Sequence, residues 1–175
     1  MPYAVVLLFE ESSIHPIAAI KKSLVKFQSI EPDQNEIPPH LTLAIFDDID
    51  CSACEEKLED LAEAFDIDAI HFDHLGLFTQ NSYILFLAAQ TSLDLLEFHA
   101  EVHHMLSAST SGSWQIYQPG RWVPHITLAK SISKDSLPES IELTDAINLP
   151  FSANIAQIGI IFFDPSMTIY QVDIQ

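Results

Sequence analysis

Hydrophobic residues along this chain occur in two patterns that predict different elements. Some form short continuous runs, such as Tyr3 to Phe9, which is typical of a strand buried on both faces. Others recur every three or four residues, as at Ile17, Ile20 and Leu24, which is typical of an amphipathic helix. The two patterns follow one another along the chain, so the sequence predicts an α+β fold.

The predicted elements have the same order in both halves of the chain. The first half should contain a strand at 3–9, a helix that begins at Ser12 or Ser13, a loop at 28–39, a strand at about 41–46, a helix that carries Leu58 to Phe65 and a strand at 67–78. The second half should contain a strand at 83–89, a helix that carries 95–106, a loop at 107–121, a strand, a short helix or turn within 134–146, and strands at about 155–163 and 167–173.

This order predicts one domain over residues 1–175, built from pseudo-repeats at about 1–80 and 81–175. Each repeat should form a lobe in which an antiparallel sheet carries its helices on the outside. We expect the two lobes to enclose a central cleft.

The clearest repeat is the motif Pro-His-apolar-Thr-Leu-Ala, which occurs at 39–44 and again at 124–129. Side chains alternate across a strand, so His40 and Thr42 should share one face, as should His125 and Thr127. The apolar residues between them should face the core. If the repeats pack together, two imidazoles and two hydroxyls lie in one cleft.

These two motifs resemble those of the two-histidine (2H) phosphoesterase superfamily, in the branch called 2′-5′ RNA ligase-like or cyclic phosphodiesterase. The segments 72–78 and 158–162 are also similar to strands of that family, so the resemblance covers nearly the whole chain. It implies that His40 and His125 are an acid–base pair and that Thr42 and Thr127 donate hydrogen bonds to phosphate oxygens. The implied activity is the opening of a 2′,3′-cyclic or 1″,2″-cyclic phosphate, with reversible 2′-5′ ligation of RNA ends as a related activity.

The chemistry of this reaction explains why two histidines are needed. Attack on phosphorus and departure of the leaving oxygen each require a proton transfer. The unperturbed pKa of histidine is about 6.5, so near neutral pH one imidazole can be neutral while the other is protonated. Two imidazoles therefore supply both transfers, and we expect no cofactor and no metal.

The charge of the chain bears on its partners. Asp and Glu outnumber Lys and Arg by 25 to 7, for a formal net charge of −18 at pH 7. Proteins bind long nucleic acids largely by neutralising phosphates with Lys and Arg, so this charge disfavours such partners. We expect a small cyclic-phosphate nucleotide or an RNA end as substrate, and a monomeric protein. The chain has no apolar run of about 18 residues and no signal-peptide pattern, so we expect a cytoplasmic protein that does not contact membranes.

Four further residues are candidates for substrate binding. The resemblance implies basic residues beside the second motif, which here are Arg121 and Lys130. Strict alternation along the strand puts Lys130 on the face opposite His125, so Arg121 is the better candidate. On the loop at 107–121, Trp114 and Tyr117 either stack a base or anchor the loop to the body of the protein.

Two other functions are compatible with the sequence. The first is a non-catalytic module of the same fold that binds a nucleotide or an RNA end, although complete motifs favour an enzyme. The second is a redox or metal protein that uses Cys51, Cys54 and the helix around His99. Acidic residues beside the Cys-x-x-C pair disfavour a thiolate. His99 and His103 have the spacing of a metal pair but no third ligand at comparable spacing, so we expect a core histidine and a surface one.

Two more histidines lie on a predicted strand, at His71 and His74. Their separation of three residues predicts opposite faces of that strand. We therefore expect structural roles for both.

Overall fold

The computed structural model describes residues 2–29, 37–79, 82–163 and 165–174. The strands found there are β1 (Tyr3–Phe9), β2 (His40–Phe46), β3 (Asp48–Ile49), β4 (Ala69–Phe78), β5 (Tyr83–Ala89), β6 (Thr110–Ser111), β7 (His125–Ile132), β8 (Phe151–Phe162) and β9 (Met167–Asp173). The α-helices are α1 (Glu11–Leu24), α2 (Cys51–Glu63), α3 (Leu93–Leu106) and α4 (Leu137–Thr144). The predicted α+β class is confirmed. Much of the predicted loop at 28–39, and part of the turn after β4, lie outside the described residues.

Seven of these strands form one antiparallel sheet in the order β1-β2-β7-β5-β4-β8-β9. β8 also pairs with β1, so the first six strands close into a ring. β4 pairs with β5 and β8 pairs with β1, which means that strands from both halves of the sequence are neighbours in the sheet. The pseudo-repeats at about 1–80 and 81–175 stay a prediction.

The two motif strands, β2 and β7, meet at a single residue pair, Leu41 and Ile126. Both side chains are fully buried in the main hydrophobic core, together with apolar residues of α1, α2 and α3. Truncating a buried leucine of this kind to alanine typically costs about 2–5 kcal/mol. Because side chains alternate along a strand, burial of this pair directs the flanking His and Thr residues to the other face.

We call that other face of β2, β7, β5 and β4 the histidine face. Beside β2 it continues onto β1, where Leu8 pairs with His40 and Val6 pairs with Thr42. Leu8 and Val6 belong to a second, smaller hydrophobic cluster. The first histidine is therefore flanked by an apolar surface.

His99 of α3 is part of the main core, with only 1 % of its surface exposed. Its Nε2 lies 2.9 Å from the carbonyl oxygens of both Leu43 and Tyr117, and its ring stacks on Trp122 at 4.0 Å. Burial lowers the pKa of His99 to about 4. The expectation of a satisfied core histidine is confirmed.

No helix among the described residues is long and apolar enough to span a membrane.

The buried His99 predicts that the protein loses stability in mild acid. Its pKa is about 4 in the folded chain against 6.5 for an unperturbed histidine, so between these values the unfolded state binds the extra proton. The stabilisation is complete above about pH 6.5 and is lost as the pH falls towards 4. In denaturant titrations, lowering the pH from about 7 to 5 should cost the wild type on the order of 1 kcal/mol more than His99→Gln, which keeps a donor but does not titrate. Equal losses in the two proteins would contradict this assignment.

Candidate active site

The Leu41–Ile126 pair brings the two histidine motifs together. His40 begins β2 and His125 begins β7, and the strands run antiparallel. On the histidine face, both histidines and both threonines therefore lie within one residue of the same pair. The backbone carbonyl of Thr42 also accepts a hydrogen bond from the Trp122 indole at 2.9 Å, which ties the segment before the second motif to the first.

Each motif histidine is fixed in the same way by its own chain. The Nδ1 atom of His40 lies 2.8 Å from the carbonyl oxygen of Pro38, and that of His125 lies 2.6 Å from the carbonyl oxygen of Val123. A carbonyl oxygen can only accept, so the proton must be on Nδ1 in both rings. In the neutral form of each ring, Nε2 is then the atom with a lone pair that can take a proton from a substrate.

Electrostatics distinguish the two imidazoles. Burial, followed by the charge of Lys21, lowers the pKa of His40 to about 4, and His125 and Lys130 add smaller effects in the same direction. Burial also lowers the pKa of His125, but no neighbouring cation contributes there. His40 is therefore the imidazole that its surroundings hold most strongly in the neutral form.

Lys130 does not lie where strict alternation predicted. The pairing of β7 with β5 shifts by one residue between Thr127 and Ala129, so β7 carries an extra residue there. Leu128 and Ala129 are both buried, and the next side chain returns to the histidine face. The prediction that Lys130 lies opposite His125 was wrong because of this bulge.

Lys21 was missed by the sequence reasoning. It lies in the second half of α1 and is partly buried, and its charge acts on His40 more strongly than that of Lys130. Nothing in the local sequence separates it from the neighbouring Lys22. Its role depends on how α1 packs against β7 and β8.

Arg121 lies on the exposed end of the loop that precedes β7. Its guanidinium donates to the side-chain oxygen of Gln115 at 3.4 Å. Between the two predicted basic residues, Lys130 is the one whose charge reaches His40. The structure thus favours Lys130 over Arg121 as the cation near the histidines.

The loop residues Trp114 and Tyr117 are held against the body of the protein. The Trp114 indole donates to the Asp47 carboxylate at 3.0 Å, and its backbone N–H donates to the carbonyl of Ile45 at 2.9 Å. Both partners are at the end of β2 that is distant from His40. Tyr117 packs against both hydrophobic clusters. These contacts favour anchoring of the loop over stacking of a base.

Two aromatic rings pack around His125. Phe78 and Phe86 stack at a centroid distance of 4.2 Å, and their centroids lie 5.2 and 5.1 Å from that of the imidazole. Gly76, which pairs with Phe86, makes this possible, since a Cβ built there would overlap the Phe86 ring. The sequence signal for this arrangement was a single glycine between apolar residues of a strand.

The surroundings of the two cysteines disfavour the thiolate form that a redox function needs. Cys51 and Cys54 lie at the start of α2, and burial raises the pKa of the Cys54 thiol to about 11. Burial and then Glu55 raise the pKa of Cys51. Within the described ranges, no group of three or more His, Cys, Asp or Glu side chains could hold a metal ion.

Comparisons with known proteins bear on the family and the fold. A family model described as the 2′-5′ RNA ligase superfamily matches residues 9–164. The fold is similar to that of E. coli LigT in its apo form, with a TM-score of 0.60 and 15% identity over 98% of this chain and 96% of that one. E. coli LigT complexed with 3′-AMP gives a TM-score of 0.57 and 17% identity over 100% and 99% of the two chains. A phosphoesterase structure gives 0.55 and 16% over 99% and 98%. The curated proteins gave no match.

The close contact at Gly76 predicts a specific stability defect. A methyl group at this position must displace the Phe86 ring, and overpacking of this kind typically costs about 1–3 kcal/mol. Gly76→Ala should therefore lower the free energy of unfolding by that amount in denaturant titrations. The same substitution in a Phe86→Leu background should cost less, because the shorter side chain leaves room. Equal costs in both backgrounds would show that the ring is not the obstacle.

Proposed function

Because the chain belongs to the 2′-5′ RNA ligase superfamily, we propose that it is a phosphoesterase that opens cyclic phosphodiesters with His40 and His125 as its acid–base pair. The substrate is a 2′,3′-cyclic or 1″,2″-cyclic phosphate. The same ring opening, with a hydroxyl of a second RNA end attacking phosphorus in place of water, is 2′-5′ ligation of RNA ends. The observation that carries this proposal is the pair of imidazoles on one face, each anchored through Nδ1 with Nε2 left for the substrate.

The two imidazoles divide the proton transfers between them. The Nε2 atom of neutral His40 takes a proton from water as the water oxygen bonds to phosphorus. The bond between phosphorus and one ribose oxygen breaks, and protonated His125 gives its proton to that oxygen. His40 suits the base because its surroundings hold it neutral, and His125 suits the acid because no cation opposes its protonation.

The remaining groups of the face stabilise charge on the substrate. The Thr42 and Thr127 hydroxyls donate hydrogen bonds to the non-bridging phosphate oxygens, where negative charge increases in the transition state. Lys130 supplies a positive charge on the same side. Bound phosphate favours the imidazolium form, so the acid is easier to protonate in the complex than in the free protein.

The substrate should be small. The net charge of −18 opposes a long polyanion, whereas a cyclic nucleotide or a short RNA end places only one or a few phosphates at the site. The occurrence of 3′-AMP in the E. coli LigT structure supports a nucleotide ligand. We propose that the protein acts as a cytoplasmic monomer without a metal or other cofactor. Assaying 2′,3′-cyclic nucleotides, ADP-ribose 1″,2″-cyclic phosphate and short 2′-5′ oligonucleotides, with product regiochemistry, tests these alternatives.

The second candidate function is a non-catalytic module that binds a nucleotide or an RNA end. The same face, with two uncharged imidazoles and two hydroxyls, is suited to holding a phosphate without reaction. The completeness of both motifs favours catalysis, because binding alone does not need a matched acid and base.

The histidine pair should behave as one unit in turnover. His40→Ala and His125→Ala should each remove most cyclic phosphodiesterase activity, and the double variant should be scarcely worse than either. Thr42→Ala or Thr127→Ala should lower kcat by roughly a hundredfold, as expected for loss of one donor to the developing charge. His104→Ala, on the exposed side of α3, is the matched control and should keep wild-type activity. A folded His125→Ala protein with near-full activity would leave the binding module as the function.

The pH dependence of kcat/KM should identify the two roles. As the pH is raised, activity should first increase near pH 4, where His40 loses its proton. It should then decrease as His125 loses its proton, with a midpoint below 6.5 because burial lowers the pKa of His125 from that value. The profile is therefore a bell with its optimum on the acid side of neutrality. Lys130→Met should move the acid limb to higher pH, since removal of a positive charge raises the pKa of His40. An optimum above pH 7, or an unmoved acid limb, would contradict these assignments.

A further inference from the structure

A third histidine lies on the histidine face, two strands away from His125. In the pairing of β4 with β5, Phe72 is opposite Ala89 but His74 is opposite Ala88, so Asp73 is an extra residue in β4. The prediction that His71 and His74 lie on opposite faces was therefore wrong, because a bulge changes the alternation.

The sheet register fixes the distance between this histidine and the active site. Ala88 pairs with His74 on one side and with His125 on the other. Directly paired residues point to the same face, and neighbouring strands are about 5 Å apart, so the two histidines begin about 10 Å from each other. The side chain between them is only a methyl group. The row therefore has an imidazole at each end and a small, buried side chain in the middle.

The bulge also places the Asp73 carboxylate beside His74. Its Oδ1 lies 2.5 Å from Nδ1 of the imidazole, and this hydrogen bond lowers the pKa of Asp73. An ionised carboxylate can only accept, so Nδ1 carries the proton, and in the neutral form of the ring Nε2 is the acceptor atom. The His74 side chain is 66 % exposed. Together the two residues present acceptor atoms in a fixed orientation.

The surface between the two histidines suits a nucleoside. Ala88 and Phe86 of β5 are buried beneath it, and the half-buried Phe78 lies on Phe86 next to His125. An apolar, partly aromatic floor that ends in a few oriented polar groups is the usual composition of a small-molecule site. A phosphate held at His125 can extend its nucleoside over this floor towards His74.

We propose that Asp73 and His74 form an acceptor site for a hydrogen-bond donor of the substrate nucleoside, either an exocyclic amine of the base or a sugar hydroxyl. This inference rests on the proposed function for the position of the phosphate. A second phosphate is a poor occupant, because the Asp73 carboxylate repels it. Asp73 acts as a positioning residue that orients His74, which makes the contact.

Matched nucleotides test the site. Cytidine 3′-monophosphate carries an exocyclic amine that uridine 3′-monophosphate lacks, and 5′-deoxycytidine 3′-monophosphate lacks the 5′-hydroxyl. Dissociation constants for all three are measured by calorimetry on the wild type and on His74→Ala. kcat/KM is measured in parallel for the corresponding 2′,3′-cyclic phosphates.

We expect the wild type to favour cytidine by about tenfold over at least one of the other two, as one hydrogen bond of about 1.4 kcal/mol predicts. His74→Ala should abolish that ratio and bind the nucleotide without the donor as well as the wild type does. Asp73→Ala should reduce the ratio in part. If His74→Ala loses the preference over uridine, the donor is the amine. If it loses the preference over 5′-deoxycytidine, the donor is the hydroxyl.

The matched control is His71→Ala. His71 lies on the same face three residues earlier, and its Nδ1 contacts the Ser152 hydroxyl at 2.6 Å. It should keep the wild-type ratios. Wild-type ratios near one on both arms, or an equal loss for all three nucleotides in His74→Ala, would overturn the inference. If the ratios behave as expected but no cyclic phosphate is opened, the inference stands and the proposed catalytic function fails.

Discussion

The arrangement of the candidate active site depends on one cross-strand contact, the pairing of Leu41 with Ile126. It is the single paired position between β2 and β7, and both side chains are fully buried. Burying these two residues forces the four flanking polar residues onto the opposite face, because a strand has only two faces. The hydrophobic core and the placement of the two histidine motifs are consequently set by the same residues.

The placement of the motif residues on one face could be derived from the sequence, because it depends only on the alternation of side chains over a few residues of a strand. His40 and Thr42 are separated by one residue, as are His125 and Thr127, and no bulge lies between the histidine and the threonine of either motif. Lys130 and His74 were misplaced because each follows a bulge, at Leu128 and at Asp73, and one extra residue reverses every later assignment along a strand. A bulge has no reliable signature in a single sequence.

Other features could not be predicted since they depend on contacts between distant elements. Lys21 acts on His40 only because α1 packs across β7 and β8. The sequence is equally compatible with stacking or anchoring by Trp114 and Tyr117, and only the Trp114 contacts with Asp47 and Ile45 distinguish the two. For His99, in contrast, its place in the apolar stripe of a helix was enough to predict a buried, satisfied imidazole.

The ring of strands limits how the protein can move. β8 pairs with β4 through its first residues and with β1 and β9 through the rest, so one continuous strand joins the sheet on both sides of the motif strands. A hinge that widened the space between β2 and β7 would have to break hydrogen bonds along β8 as well as at Leu41 and Ile126. The separation of the two motif backbones is thus fixed by the sheet, and any adjustment around the histidines is left to side chains.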